Sequence, residues 1–463
     1  MEGRDLSSRR ASKVARGGRL GNLATPISVQ KLQTALHAKA KAEPGFRFYA
    51  LYDKVHRADI LAHAYVRCKA NKGAAGVDEQ EFADIEAYGR ESWLGELAQA
   101  LREENYRADA VRRVFIEKRD GSGKLRPLGI PTLRDRVCQT AAALVLEPIF
   151  EADLPPEQYA YRSGRNALEA VQEVHRLLNT GYRAVVDADL SGYFDSIPHA
   201  ELMTSVARRV VDRRVLHLIK MWLEAPVEET DERGRKRRTT RNRDEKRGTP
   251  QGSSISPLLA NLYMRRFILG WKQRGLEERL GARIVNYADD LVICCRRDAE
   301  GALVAMRQIM GRLKLTVNEV KTRTCQVPQE TFDFLGYTFG RCYSPKTGRA
   351  YIGSRPSKKS IRRLVYSIGE QTERRTFQLE ATHQVERLNR KLVGWANYFC
   401  LGSVSSAYRA IDAYTSARLR QWLCGKHRRD GRGTQRYPDT YLYERLALVR
   451  LAPRTRSLPW AKA

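Results

Sequence analysis

The stretch that most limits what this chain can fold into is Tyr287-Ala288-Asp289-Asp290, set between two β-prone runs. Ala282-Arg283-Ile284-Val285-Asn286 precedes it and Leu291-Val292-Ile293-Cys294-Cys295 follows. Apolar strands on either side of a short polar tip read as a hairpin. Two adjacent carboxylates at the tip repel, and each raises the other's pKa unless a cation lies between them. For an Asp-Asp pair alone, an acidic surface turn is the plainer explanation. A second acidic strand end shifts that balance. Arg183-Ala184-Val185-Val186-Asp187-Ala188-Asp189 is an apolar strand closing on a carboxylate, followed by Leu190-Ser191-Gly192-Tyr193-Phe194-Asp195. Two such ends can share a pair of metal ions about 4 Å apart, the arrangement that activates a 3′ hydroxyl and neutralises a leaving pyrophosphate. Mg2+ suits carboxylate and phosphate oxygens.

Composition supports a polyanionic partner. Lys and Arg total 83 against 53 Asp and Glu, a net of +30 over 463 residues. That excess favours phosphate contacts and counterion release. A chain of this length buries substantial cores and divides into two or three domains. No apolar run approaches the ~18 residues a membrane span needs, and the polar N-terminus lacks a secretory apolar region. The eight cysteines are scattered, with no Cys-x-x-Cys. These features predict a reduced, cytoplasmic protein without structural zinc or membrane attachment.

In chain order, residues 1–27 read as a basic disordered arm and 28–80 as a helical segment, with Leu32, Leu36, Leu51, Val55, Ile60 and Ala64 near helical spacing. Val111–Glu117 and Leu125–Ile130 form a hairpin about Asp120-Gly121-Ser122-Gly123, with Lys118 and Arg126 bracketing the turn. A point charge and a planar fork so placed can clamp a triphosphate, although basic hairpins are usually only solvated. Arg136–Phe150 reads as a buried helix, and Asn166 as the cap of another. Residues 228–248 form a charge-dense excursion, read as a solvated hairpin loop or a phosphate contact. Thr249-Pro250-Gln251-Gly252-Ser253 is a turn in which Gly252 allows close backbone approach. Ser256-Pro257 then opens a helix, Ser as N-cap. The next helix spans Ala299–Leu313, and Met306 and Met310 there are core filler. Gly, Ser and Pro between Arg341 and Arg355 mark a linker. Three helical runs follow. The second carries Val385, Leu388, Leu392, Trp395 and Phe399, and the third Val404, Ala407, Ile411 and Tyr414.

The Tyr-Ala-Asp-Asp tip and upstream Asp189 resemble the palm of reverse transcriptases, most closely those encoded by bacterial group II introns. Lys118-x-x-Gly121 with Arg126-Pro127-Leu128-Gly129-Ile130-Pro131 looks like the fingers motif of that family, and Pro250-Gln251-Gly252 like the segment lining its nucleotide pocket. Asn318-Glu319-Val320-Lys321-Thr322 resembles the segment whose Lys serves the departing pyrophosphate. Phe332-Asp333-Phe334-Leu335-Gly336-Tyr337 resembles the primer grip, and Leu388 to Phe399 the maturase region. Ser163 in Tyr161-Arg162-Ser163-Gly164-Arg165 departs from the family's usual Pro. The resemblance implies an α+β right-hand polymerase. Fingers and palm would occupy 81–345, a three-helix thumb/maturase domain 346–427 and a basic tail 428–463, with 28–80 as the N-terminal extension. Asp189, Asp289 and Asp290 would bind two Mg2+. Lys118, Arg126, Phe194, Gln251 and Lys321 would contact the dNTP, and Phe334, Leu335 and Gly336 the primer. Spacing alone favours a core Phe at 194, whereas the matched motif favours a gate against the ribose 2′ hydroxyl.

The implied partners are a group II intron RNA, target DNA and dNTPs. The implied activity is RNA-directed DNA synthesis with assistance to splicing and with mobility by target-primed or fork-primed synthesis. Many relatives continue into a metal-dependent endonuclease with paired His and Cys. Here no cysteine follows Cys424 and His427 is the last histidine, so that domain is expected to be absent. One rival is an RNA-folding cofactor without enzymatic activity, which intact carboxylates argue against. The other is a related enzyme of defence or DNA repair, against which the maturase-like segment speaks.

Overall fold

The computed structural model describes residues 24–117, 125–231, 233–344 and 347–458. Lys118, the turn Asp120-Gly121-Ser122-Gly123, most of the N-terminal arm and the last five residues lie outside the described residues. The strands are β1 (Val111–Glu117), β2 (Leu125–Ile130), β3 (Ala184–Asp189), β4 (Val227–Thr230), β5 (Lys236–Thr239), β6 (Ala282–Tyr287), β7 (Asp290–Cys295), β8 (Arg323–Gln326), β9 (Phe332–Phe334), β10 (Tyr337–Tyr343) and β11 (Ala350–Pro356). They assemble as β6-β7-β3-β8, β2-β1-β4-β5 and β11-β10-β9, between and beside helices.

From Ala141 to Leu146 the helix Leu133–Glu151 is apolar on every side, and this stretch lies in the interior. Thr132 caps the helix by accepting the Asp135 N–H. Pro148 removes one donor from its ladder and orphans the Leu144 carbonyl. Gln33 Nε2, on the helix Ile27–Ala42, donates to that carbonyl at 3.0 Å. The N-terminal helices are thus fastened to this central helix and share its core. Arg209, 1% exposed, adds a second fastening, donating to the carbonyls of Glu43, Pro44 and Phe46 and pairing with Asp153 at 3.1 Å.

In the sheet β6-β7-β3-β8 every neighbour is antiparallel. Strand pleating sends alternate residues to opposite faces. Ala184, Val186, Ala188, Leu291 and Ile293 enter the core around the central helix. Val185, Val292 and Cys294 enter a second core, shared with Phe334, Phe339 and Phe399. Asp187, Asp189 and Asp290 fall on this second face, at the sheet end where its apolar cover stops.

Three segments differ from expectation. The stretch 341–355 is not a linker: β10 and β11 pair along their whole lengths, from Tyr337↔Pro356 to Tyr343↔Ala350. Its small residues suit close packing, since a Cβ on Gly353 would come within 3.0 Å of Cys342 Sγ. Ser256 is the first helical residue rather than the cap, because its buried hydroxyl donates to the Pro250 carbonyl at 3.0 Å. The charge-dense excursion supplies β4 and β5, and β4 joins the first hairpin in parallel with β1. Buried Glu228 there draws Arg238 to 2.8 Å.

Helices Lys358–Gln371, Ala381–Tyr398 and Ser405–Lys426 form the expected trio around a third core. The following segment folds back onto them. Tyr437, Leu442, Leu448 and Leu451 join that core, and Asn389 grips the segment through Ala447 O and Val449 N, both at 2.8 Å. Among the described residues no helix is long and apolar enough to cross a membrane.

Candidate active site

β6 and β7 meet in a two-residue turn, Tyr287 pairing with Asp290. Ala288 sits at φ 58, the left-handed region that hairpin turns of this length require and that alanine resists. Fully buried Asn286 holds the strained turn closed: its Nδ2 donates to the Ala288 carbonyl at 2.9 Å and the Asp290 carbonyl at 3.3 Å. Its own backbone is fixed from outside the sheet, with Asn286 N on Glu157 O at 2.9 Å and Tyr159 N on Asn286 O at 3.0 Å. The acidic tip is therefore rigidly mounted. Tyr161, two residues past this dock, has φ 55, and the Asp289 charge helps raise its phenol after burial has done so.

Asp189 lies directly opposite Asp290 in the sheet register. Although Asp290 reaches solvent, loss of water around its carboxyl, then the charges of Asp289, Asp189 and Asp187, push it up to about 7, with Lys321 pulling the other way. Asp187 is likewise pushed up to about 6, first by burial and then, against the pull of Arg323, by Asp333 and Asp189. The strand end carries more negative charge than its surroundings offset.

Asp189 is gripped by the turn at 318–322. Asn318 donates to it twice, from its backbone N–H to the carbonyl at 2.8 Å and from Nδ2 to Oδ2 at 2.9 Å. The Asp189 N–H donates to the Thr322 hydroxyl at 3.3 Å. Lys321 Nζ also donates to Asp189 Oδ2, at 3.0 Å. The lysine expected at the nucleotide thus rests on a carboxylate. Among the described residues no three His, Cys, Asp or Glu side chains stand together closely enough to hold an ion. The donor set is nonetheless hard oxygen with excess negative charge, which suits Mg2+.

A second cluster adjoins the first. Phe194 lies on the helical turn Tyr193–Ser196, half-buried against the main core, its ring 5.7 Å from that of Tyr193. The Phe194 carbonyl accepts the Thr249 N–H at 2.7 Å, which lays Thr249-Pro250-Gln251 alongside. Gln251 Nε2 then donates to Asp195 Oδ2 at 3.1 Å. Arg126 stands on β2 opposite Ile116, and its charge, with those of Arg113 and Arg241, acts on Asp195. The close approach expected at Gly252 is real but internal: at φ 114, a Cβ there would collide with the Gly129 carbonyl of β2. Gly129 N donates to Gln251 O across the same contact.

Leu335 and Gly336 form the two-residue turn between β9 and β10, at φ 49 and φ 82. Tyr398 donates its hydroxyl to the Leu335 carbonyl at 2.8 Å, while Ser357 N and Ser360 Oγ donate to the Gly336 carbonyl at 2.9 and 3.0 Å. Phe334 is buried in the second core. This turn is where the three-helix unit is attached. Burial pushes the Tyr398 phenol up and the Asp290 charge adds to it, so the attachment adjoins the acidic tip. Sequence reasoning missed Asn286, Asn318 and Tyr398. All three stood inside quoted motifs, and an Asn just before a tight turn was a signal for Asn286 alone.

Residues 116–339 match the family described as reverse transcriptase (RNA-dependent DNA polymerase), and residues 361–438 match the group II intron maturase-specific domain. Protein YkfC of Escherichia coli is 30% identical over 374 residues, 72% of this chain and 93% of that protein. Group II intron-encoded protein LtrA of Lactococcus lactis is 32% identical over 231 residues, 49% of this chain and 36% of LtrA. A putative COX1/OXI3 intron 1 protein of Saccharomyces cerevisiae is 24% identical over 332 residues, 60% of this chain and 38% of that protein. With both domains present in order and one relative matched over nearly its whole length, the chain belongs to the group II intron reverse transcriptase and maturase family, as an RNA-directed DNA polymerase carrying a maturase domain.

Proposed function

We propose that the protein copies RNA into DNA at the end of the β6-β7-β3-β8 sheet and uses its C-terminal helices to hold intron RNA. The observation that carries the first part is the pairing of Asp189 with Asp290 across the sheet, with Asp289 at the adjoining tip. In this reading the sheet is the palm, β1 and β2 belong to the fingers, and the helices from Lys358 to Lys426 form the thumb. On this division 28–80 is the N-terminal extension, fingers and palm run from 81 to the end of the β10-β11 hairpin at Pro356, and the helices from Lys358 with the return segment through Leu451 make the third unit. Asp189, Asp289 and Asp290 would hold two Mg2+, which when bound supply the Lewis acidity that activates a primer 3′ hydroxyl and steadies the departing pyrophosphate.

The chain's own groups then bind and orient. Lys118 and Arg126 hold the dNTP phosphates, one as a point charge and one as a fork. Phe194 stands against the sugar and excludes a 2′ hydroxyl, and Gln251, fixed by Asp195, borders the same pocket. The turn Phe334-Leu335-Gly336 steadies the primer strand between the site and the thumb. Intron RNA and target DNA are held through distributed phosphate and shape contacts, consistent with a net charge of +30.

Primer extension with purified protein tests this. A DNA primer on an RNA template, with Mg2+ and dNTPs, is expected to be elongated. Phe194→Val is expected to raise ribonucleotide incorporation relative to deoxynucleotide. Absence of elongation by a protein that still binds intron RNA would contradict the catalytic part, and unchanged sugar discrimination would assign Phe194 to the core.

A further inference from the structure

We infer that Lys321 is an exchangeable cation that keeps the metal's place on Asp189, an inference that rests on the reading of Asp189 as a metal ligand. Asp189 Oδ2 accepts two hydrogen bonds of different character. The donor at 2.9 Å, Asn318 Nδ2, is built in: the Asn318 backbone N–H also holds the Asp189 carbonyl, and the Thr322 N–H donates to the Asn318 carbonyl at 2.9 Å. This neutral amide can stay in place when a cation arrives. The donor at 3.0 Å, Lys321 Nζ, is an ammonium on a flexible four-carbon stem whose side chain is 61% exposed. It can swing away with no change in backbone.

Oδ1 keeps its lone pairs, but an ammonium 3.0 Å from Oδ2 offsets the charge that draws a divalent ion, so the two cations compete electrostatically for one carboxylate. Lys321 is suited to leave. Its neighbour Arg323 is not, since it lies 3.8 Å from Asp187 and is tethered by the Thr331 carbonyl at 3.0 Å. Lys321 offsets part of the repulsion that Asp187, Asp189 and Asp289 exert on Asp290. A divalent ion on Asp189 would release the ammonium to the edge of the site, open to another anionic partner. One lysine thereby serves Asp189 before loading and another anion afterwards.

Mn2+ binding to the full-length protein without nucleic acid tests the exchange, read as free Mn2+ by electron paramagnetic resonance. Lys321→Ala is expected to tighten binding roughly fivefold, the scale of one partly exposed ion pair, while Lys321→Arg binds as the parent does. Arg323→Ala is expected to tighten it less, by loss of general charge alone. Equal or weaker binding by Lys321→Ala, or an equal effect from Arg323→Ala, would overturn the exchange. Unchanged Mn2+ binding by Asp189→Asn would instead overturn the metal assignment beneath it. Melting curves monitor folding of each variant, and Lys321→Gln repeats the measurement should Lys321→Ala melt early.

Discussion

At the tip of β6 and β7 Ala288 stands at φ 58, and at the tip of β9 and β10 Leu335 stands at φ 49, each a non-glycine in a region L-residues resist. Both turns join antiparallel strands through two residues, and both are held by buried or half-buried side chains. They differ in what is left over. At Leu335-Gly336 the turn carbonyls are engaged by Tyr398, Ser357 and Ser360, and Phe399 packs against Gly336. At Ala288-Asp289 the carbonyls are partly satisfied by Asn286, but the carboxylates of Asp289 and Asp290 remain, raising each other's cost. The first turn joins two parts of the molecule. The second carries negative charge that its surroundings do not offset, at the expense of local stability.

The largest expected effect that sharpens this contrast is at the joining turn. Gly336→Val puts a branched side chain at φ 82, where a Cβ already lies 2.9 Å from Ser360 Oγ and 3.2 Å from the Phe399 ring. A loss of about 3 kcal/mol is expected in chemical denaturation. Asn286→Ala removes two buried hydrogen bonds from the acidic turn and is expected to cost about 2 kcal/mol, with slower synthesis because the tip is no longer held. Asp290→Asn goes the other way: relieved of like charge, the metal-free protein should gain about 1 kcal/mol, discounted for partial exposure, while losing activity. Ala288→Gly is smallest. Relief of the left-handed strain is largely offset by the flexibility of glycine in the unfolded chain, leaving about 0.5 kcal/mol of gain. A destabilised Asp290→Asn would break the contrast, since it would make that carboxylate structural.

Much of this was legible in the sequence because it is local. Acidic residues at the ends of β-prone runs announced the acidic strand ends, and periodic apolar residues announced the helices Leu133–Glu151, Ala167–Asn179 and Ala299–Arg312. What escaped depends on distant partners. Asn318 meets Asp189 across 129 positions and Gln33 meets Leu144 across 111, and nothing near either residue declares the match. Gly, Ser and Pro in 341–355 read as a linker because small residues mark loops, whereas here they let β10 and β11 pack closely. Gly252 was rightly marked for close approach, but its neighbour is Gly129 and not a ligand. The basic tail concealed a folded return onto the helices, since Tyr437, Leu442, Leu448 and Leu451 are too sparse among charges to show a period.

The most direct test of the account is single-turnover incorporation of one dNTP on an RNA template, measured for Asp289→Ala beside the parent protein. The account predicts that incorporation falls by at least about 1,000-fold, the scale of losing an electrostatic catalytic group, while melting and intron RNA binding stay close to the parent's. Incorporation within about tenfold of the parent's, or a parallel loss of RNA binding, would contradict the assignment of chemistry to the acidic tip.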